Sequence, residues 1–284
     1  MDRRRKLEAG VFHFFMVASA CIMAAVLGYI ILTVLVKGLP ALSLDMITKT
    51  PKGGYYIGKE GGILNAISGS LVLGMGSTLI ALAMSLPVVV YLHLYLKRRS
   101  RFALIVRFTL DVLWGIPSIV YGAFGFTLMV FFGLRASLIA GMITVALLIF
   151  PIITRGIDEA FKMIPFELEQ ACFALGSTRL ETAMNVIIRQ AMPGIITASL
   201  IGFGRGIGDA ASVLFTAGFT DSLPGSIFKP VATLPLAIFF QLGTPFPEVR
   251  QRGYASALIL TAIILCVSVL SRMLSKRFNR NIIK

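Results

Sequence analysis

Arg205 and Asp209 stand four residues apart in Gly202-Phe203-Gly204-Arg205-Gly206-Ile207-Gly208-Asp209, inside an otherwise apolar stretch. On a helix that spacing puts both side chains on one face, where they can pair. Read as a membrane span over residues 192–218, the stretch places Arg205 about a dozen residues from either end. At ~1.5 Å of rise per residue that is too deep for easy contact with an interface. An arginine so placed costs several kcal/mol on insertion scales and faces a bundle interior or an aqueous path. Two chemistries are open to it. One is a buried ion pair that locks helices together; the other is an anion-binding guanidinium in a passage, whose planar fork of donors suits an oxyanion. Gly202/Gly206 and Gly204/Gly208 are small-xxx-small pairs, which let a second helix or pore-lining backbone come close. Arg107 and Asp111 repeat the four-residue spacing in another apolar run. Arg107 can reach the interface there, whereas Asp111 lies deeper.

Other chemistries are poorly supplied. The two histidines, His13 and His93, are isolated near predicted span ends, where interfacial packing is the expectation. Cys21, Cys172 and Cys266 have neither paired nor metal-ligand spacing, so neither a disulfide nor a metal site is expected. A membrane-embedded enzyme would need a nucleophile and a general acid or base gathered at one face. The spans hold no such carboxylate or histidine cluster, and no catalytic residue or cofactor is assigned. Residues 53–59, Gly-Gly-Tyr-Tyr-Ile-Gly-Lys, fit most of a phosphate-binding loop, but Glu60 stands where a metal-binding hydroxyl is required. The match is rejected, and any ATP the protein uses is hydrolysed by a partner chain.

The elements that must position these residues follow from composition. Of 284 residues, 57% are hydrophobic and 14% charged, against roughly a quarter charged in soluble domains. The apolar runs predict an all-α polytopic membrane protein with about six spans, at 11–36, 65–96, 103–132, 137–154, 192–218 and 254–274. The first follows Arg3-Arg4-Arg5-Lys6 but is too long for a cleaved signal, so it is read as an uncleaved helix. The third contains Gly115, Pro117, Gly122 and Gly125, and a kink or interruption is expected near Pro117. The apolar piece 231–240 holds Pro235 and is too short to span, so it reads as a re-entrant or surface segment. The net charge of +14 is ascribed to orientation and not to nucleic acid. Eighteen Lys and Arg fall on one side of the predicted spans and eight on the other, which puts both termini in the cytoplasm. Residues 155–191 form a cytoplasmic helix–turn–helix, with Pro165 starting the second helix and Gly176 stopping it.

Two stretches resemble a known family. Gln170-Ala171-Cys172-Phe173-Ala174-Leu175-Gly176, followed by Pro193-Gly194, is similar to the Glu-Ala-Ala loop of ABC importer permeases. It departs from that pattern at Gln170, Cys172 and Arg189, which stand for Glu, Ala and a common Pro. Residues 111–122 and 205–218 resemble the third- and fifth-span signatures of phosphate-specific permeases, with Asp209 for the usual Glu and Ser212 for a usual Pro. Residues 214–218 and 230–238 match the A-type subunit better than its C-type partner. The resemblance implies a type I ABC importer permease fold in a prokaryotic plasma (inner) membrane, embedded in lipid. Residues 1–64 would form a first helix and external loop, and 65–284 the permease core with its coupling loop at 155–191. The implied partners are a homologous C-type phosphate permease, a dimeric cytoplasmic ATPase and an external phosphate-binding protein. The implied roles are substrate path for Arg205, Asp209 and Asp111, and ATPase coupling for Gln170, Ala171, Cys172, Phe173, Leu175 and Gly176. Gly202, Gly204, Gly206, Gly208 and Pro117 would serve helix packing. An arginine fork alone does not separate phosphate from sulfate or molybdate. A secondary transporter would need inverted repeats and ion-coupling residues, and no clear repeat is seen.

Overall fold

The computed structural model describes residues 3–52, 60–96 and 100–278. The phosphate-loop-like run at 53–59 and the basic residues 97–99 lie outside them. In chain order the elements are α1 (Arg3–Gly38), α2 (Leu44–Thr48), a two-residue hairpin of β1 (Pro51–Lys52) and β2 (Glu60–Gly61), and α3 (Leu64–Val90). Then follow α4 (Arg101–Trp114), α5 (Ser118–Phe131), α6 (Leu138–Lys162) and α7 (Phe166–Ala174). The chain closes with α8 (Arg179–Thr182), α9 (Ile188–Ile207), α10 (Leu234–Leu242) and α11 (Pro247–Phe278). Single π-turns extend α3 over Tyr91–Tyr95 and join α8 to α9 over Ala183–Ile187.

The core is built on close approach. On α3 the buried positions Ala66, Ser70, Leu73, Ser77, Ala81, Ser85 and Val89 recur every three or four residues. This narrow stripe of small side chains lets α6 pack tightly against it. Thr154 on α6 donates a buried hydrogen bond of 2.8 Å to Ser85 Oγ. Against the other side of α6 lies α9, with Gly202 facing Ile153, Gly194 facing Ala160, and Gly156 of α6 facing Ala198. By contrast α1 packs mainly on α11 and keeps its apolar surface exposed, as a helix bathed in lipid can.

Among the described residues five helices are long and apolar enough to cross a membrane, or six if α4 and α5 count as one broken span. That pair is bent by 98° at residues 115–117, where the sequence places a glycine and a proline. Pro117 cannot donate to the preceding turn. The Tyr121 hydroxyl, one turn into α5, donates to Leu113 O at 2.9 Å, a carbonyl that also accepts the Ile116 amide at 3.2 Å.

The expected fifth span, 192–218, is corrected. The helix begins earlier and stops at Ile207, and residues 208–217 are non-helical, with consecutive turns over 211–217. Glycines at 202, 204, 206 and 208 lower helix propensity, and the Asp209 carboxylate accepts the Ser212 amide at 2.8 Å, which favours a turn over a further helical turn. The unwound segment is covered by α5. A Cβ on Gly122 would stand 2.7 Å from Ala211 O, so only glycine admits this approach. The 231–240 piece enters α10 at Leu234, a helix nine residues long and too short to span.

Gly122→Val should therefore destabilise the protein by about 1–3 kcal/mol through overpacking, read as a lower thermal midpoint of the purified protein. A Cβ at Gly204 would meet nothing within 4 Å, and Gly204→Ala should raise that midpoint slightly through helix propensity.

Candidate functional site

Arg205 lies in the last turn of α9, about 24 Å along the axis beyond Arg189. It is not at the middle of a continuous span, because the helix ends two residues later. A cation in that turn faces the unpaired carbonyls of a helix C-terminus, a favourable placement. The pair with Asp209 is made: Arg205 Nη1 donates to Asp209 Oδ1 at 2.9 Å. The other carboxylate oxygen holds the Ser212 amide. The Asp209 side chain is 5% exposed, whereas that of Arg205 is 44% exposed. The aspartate is thus committed to the turn, while the guanidinium presents its other donors outward.

The two faces of α9 differ. Gly202, Phe203, Gly206 and Ile207 are buried, with Gly202 and Gly206 against Ile153, Val145 and Ile149 of α6. Ile201, Arg205 and Gly208 are exposed on the other face, and no atom lies within 4 Å of a Cβ built on Gly204. One of the two glycine pairs therefore packs helices within this chain, and the other flanks Arg205 on an open surface.

Arg107 and Asp111 do not pair with each other. Arg107 forks onto Asp158 of α6, Nε to Oδ2 and Nη2 to Oδ1, both at 2.9 Å. His93, on the π-turn that ends α3, meets Asp158 Oδ1 at 2.8 Å and so is not isolated. Arg155 Nη1 and Lys162 Nζ both reach Oδ2 at 3.0 Å. Arg155 Nε also donates to Asp111 Oδ1 at 2.7 Å, so Asp111 belongs to this cluster and shares no ion pair with Arg205 among the described residues. The Asp158 side chain has no exposed surface. Spacing on α6 places Arg155, Asp158 and Lys162 on one face, a legible signal. His93 and Arg107, 65 and 51 residues away in sequence, are brought in by tertiary packing alone.

Beyond this cluster α6 ends, and the chain turns through Met163 and Pro165 into α7. α7 stops in a Schellman motif: Ser177 N donates to Cys172 O, Gly176 N to Phe173 O, and Gly176 takes φ +83°. A reciprocal capping box between Thr178 and Glu181 then starts α8. α7 buries no residue. Gln170, Ala171, Phe173, Leu175 and Gly176 are exposed and Cys172 is half-buried. Leu175 and Met163, 87% and 85% exposed, project from the end of the bundle as an uncovered apolar knob.

Residues 84–282 match the family described as binding-protein-dependent transport system inner membrane component. The chain belongs to that family. It is similar to a protein named phosphate transport system permease protein PstA from Haemophilus influenzae, with 35% identity over 246 residues and 86% of each chain covered. A relative of the same name from Yersinia pestis is 31% identical over 280 residues, covering 96% of this chain and 94% of its own. Among solved structures, an inward-facing form of the MetNI methionine ABC transporter aligns with a TM-score of 0.61 and 18% identity, over 76% of this chain and 95% of that one. This inner membrane component therefore has the fold of ABC importer permeases. It is a multi-pass membrane protein that works as a transport subunit.

In the permease, Asp209→Ala should free the Ser212 amide and unpair Arg205, with a loss of about 1–3 kcal/mol seen as a lower thermal midpoint. Asp209→Asn, which keeps one acceptor for the amide, should lose less.

Proposed function

We propose that this chain is one of two permease subunits of an ATP-driven phosphate importer, and that phosphate passes Arg205 on its way between them. The observation that carries the reading is the half-exposed guanidinium on the open face of α9, steadied from behind by a nearly buried carboxylate. Its outward donors suit an oxyanion, and the glycines beside it leave room for one. Beside it, a Cβ built on Gly204 would meet nothing within 4 Å among the described residues, which fits a path completed by a homologous C-type permease. Relatives named for phosphate transport over most of the chain support phosphate over other oxyanions.

The remaining parts follow from this reading. The apolar knob of α7 and Leu175 docks on a dimeric cytoplasmic ATPase, which hydrolyses the ATP. An external phosphate-binding protein delivers substrate at the opposite end of the bundle. The excess of Lys and Arg on the side of residues 155–191 supports cytoplasmic termini and a cytoplasmic coupling loop. Alternating access then amounts to a two-state rearrangement biased by nucleotide on one side and loaded binding protein on the other.

The test is uptake of radiolabelled phosphate by proteoliposomes holding the assembled complex, with sulfate and molybdate as competitors. ATP-dependent uptake indifferent to both competitors is expected. Arg205→Lys, which keeps charge but loses the fork, should cut uptake about tenfold with the complex still assembled; normal uptake would sink the role given to Arg205. Transport of another oxyanion would leave the architecture standing and overturn the substrate. Replacing Phe173 by Asp should prevent co-purification of the ATPase with the permease pair, and full retention would remove α7 as the docking element.

A further inference from the structure

Each element between the coupling loop and Arg205 is tied to the next by a specific polar or close contact. Asp158 sits one turn before the end of α6, immediately ahead of the chain's passage into α7. Its carboxylate is fully buried and is gripped by His93 from the end of α3, Arg107 from α4, and Arg155 and Lys162 from α6 itself. The fork from Arg107 and the bridge from Arg155 to Asp111 both land on α4, one turn apart. α4 has 14 residues, a strut of about 21 Å. At its far end the chain bends by 98° into α5. One turn on, Gly122 admits the backbone of Ala211 and Ser212, and Phe126 meets Phe215 with ring centroids 6.1 Å apart. The two ends of the broken helix thus touch the base of the coupling loop and the turn that holds Arg205.

We propose that Asp158 is the positioning residue through which the helix–turn–helix at 155–191 moves α4, and through α4 and α5 sets the Arg205–Asp209 pair. The inference rests on the reading of the chain as an ATP-coupled permease. Asp158 touches neither phosphate nor ATPase. It makes the end of α6, and hence α7, one rigid piece with α4, so that displacement of α7 by nucleotide-driven closure is delivered to the break at 115–117. A fully charged carboxylate is required, because a neutral group cannot hold four cationic or protonatable partners in one buried place. The break is the flexible joint, and the turn 208–217 is what it shifts.

The test uses the assembled complex and two readouts. The first is phosphate delivered per ATP hydrolysed. Asp158→Asn keeps the side chain's size and removes its charge, and should lower that ratio by at least about fivefold while binding-protein-stimulated ATP hydrolysis persists. A parallel fall of uptake and hydrolysis, with the ratio unchanged, would overturn the proposal and leave Asp158 with a purely structural role. The second readout does not depend on phosphate being the substrate. With Cys21, Cys172 and Cys266 replaced by serine, spin labels at Phe108→Cys on α4 and Glu167→Cys in the first turn of α7 report their separation by double electron–electron resonance. In the otherwise unaltered complex that distance should stay the same with and without a non-hydrolysable ATP analogue, because the two helices move together. With Asp158→Asn the distribution should widen or shift when the analogue binds. A nucleotide-dependent change of equal size before and after the substitution would refute the link, even if the substrate proves to be another oxyanion. Should Asp158→Asn fail to assemble, Arg107→Lys carries both measurements. It keeps one charge on Asp158 but cannot span both oxygens, and a ratio and distance distribution identical to those of the unaltered complex would overturn the proposal.

Discussion

A bilayer offers no water to an unpaired backbone amide, so a chain that unwinds at membrane depth must cover the break with its own atoms. This permease unwinds twice, at 115–117 and at 208–217, and it solves both breaks with one contact. The helix after the first break lies over the second. Gly122 and Gly125 on α5 leave the space into which Ala211, Ser212 and Thr216 fit. Tyr121, on the same helix, reaches back to the Leu113 carbonyl. Neither interruption could be tolerated alone. Together they give the subunit a patch of irregular backbone, buried on one side, at whose edge Arg205 stands half-exposed.

Charge is handled by the same logic of mutual cover. Of the two carboxylates buried most deeply, Asp209 is met by one guanidinium and a backbone amide, and Asp158 by two arginines, a lysine and a histidine. Taking ions out of water costs several kcal/mol each, which the geometry of a fork and added hydrogen bonds must offset. Leaving a fully buried carboxylate such as Asp158 unpaired costs about 3–5 kcal/mol. A cluster of this kind is weak evidence of stability gained, since well-packed apolar groups could do as well. What it specifies is which helices are joined: α3, α4 and α6 meet at one carboxylate, at the end from which α7 departs.

Much of this was legible in the sequence. The apolar runs gave the helices, Pro117 gave the break, and Pro165 and Gly176 gave the two ends of α7. Hydropathy failed at residues 208–218. That segment carries Asp209 as its one charged residue, and composition cannot distinguish a turn buried in protein from a helix buried in lipid. Asp209 was the missing clue, since its side chain can accept an amide three residues on and compete with the helix. The pairing of Arg107 with Asp111 looked natural because local spacing was all the sequence displayed. Asp158 outcompetes Asp111 for Arg107 by offering both oxygens in a site closed to water, and no local pattern announces a partner 51 residues away. His93 was misjudged for the same reason. At Arg205 the residue and its partner were evident, while its place at a helix end was not.

The right-angled third span has one more consequence. Two helical halves at 98° cannot both follow the bilayer normal, so the bent pair contributes width to the subunit where an ordinary span contributes height. The outer surface of α4 carries Phe102, Leu104, Ile105, Phe108 and Val112, all exposed and apolar, and therefore displaces acyl chains sideways. Any change in the angle at 115–117 alters the area the subunit occupies in the membrane plane. A motion that opens or closes the joint does work against the lateral pressure of the lipid, and the bilayer becomes a spring in the cycle.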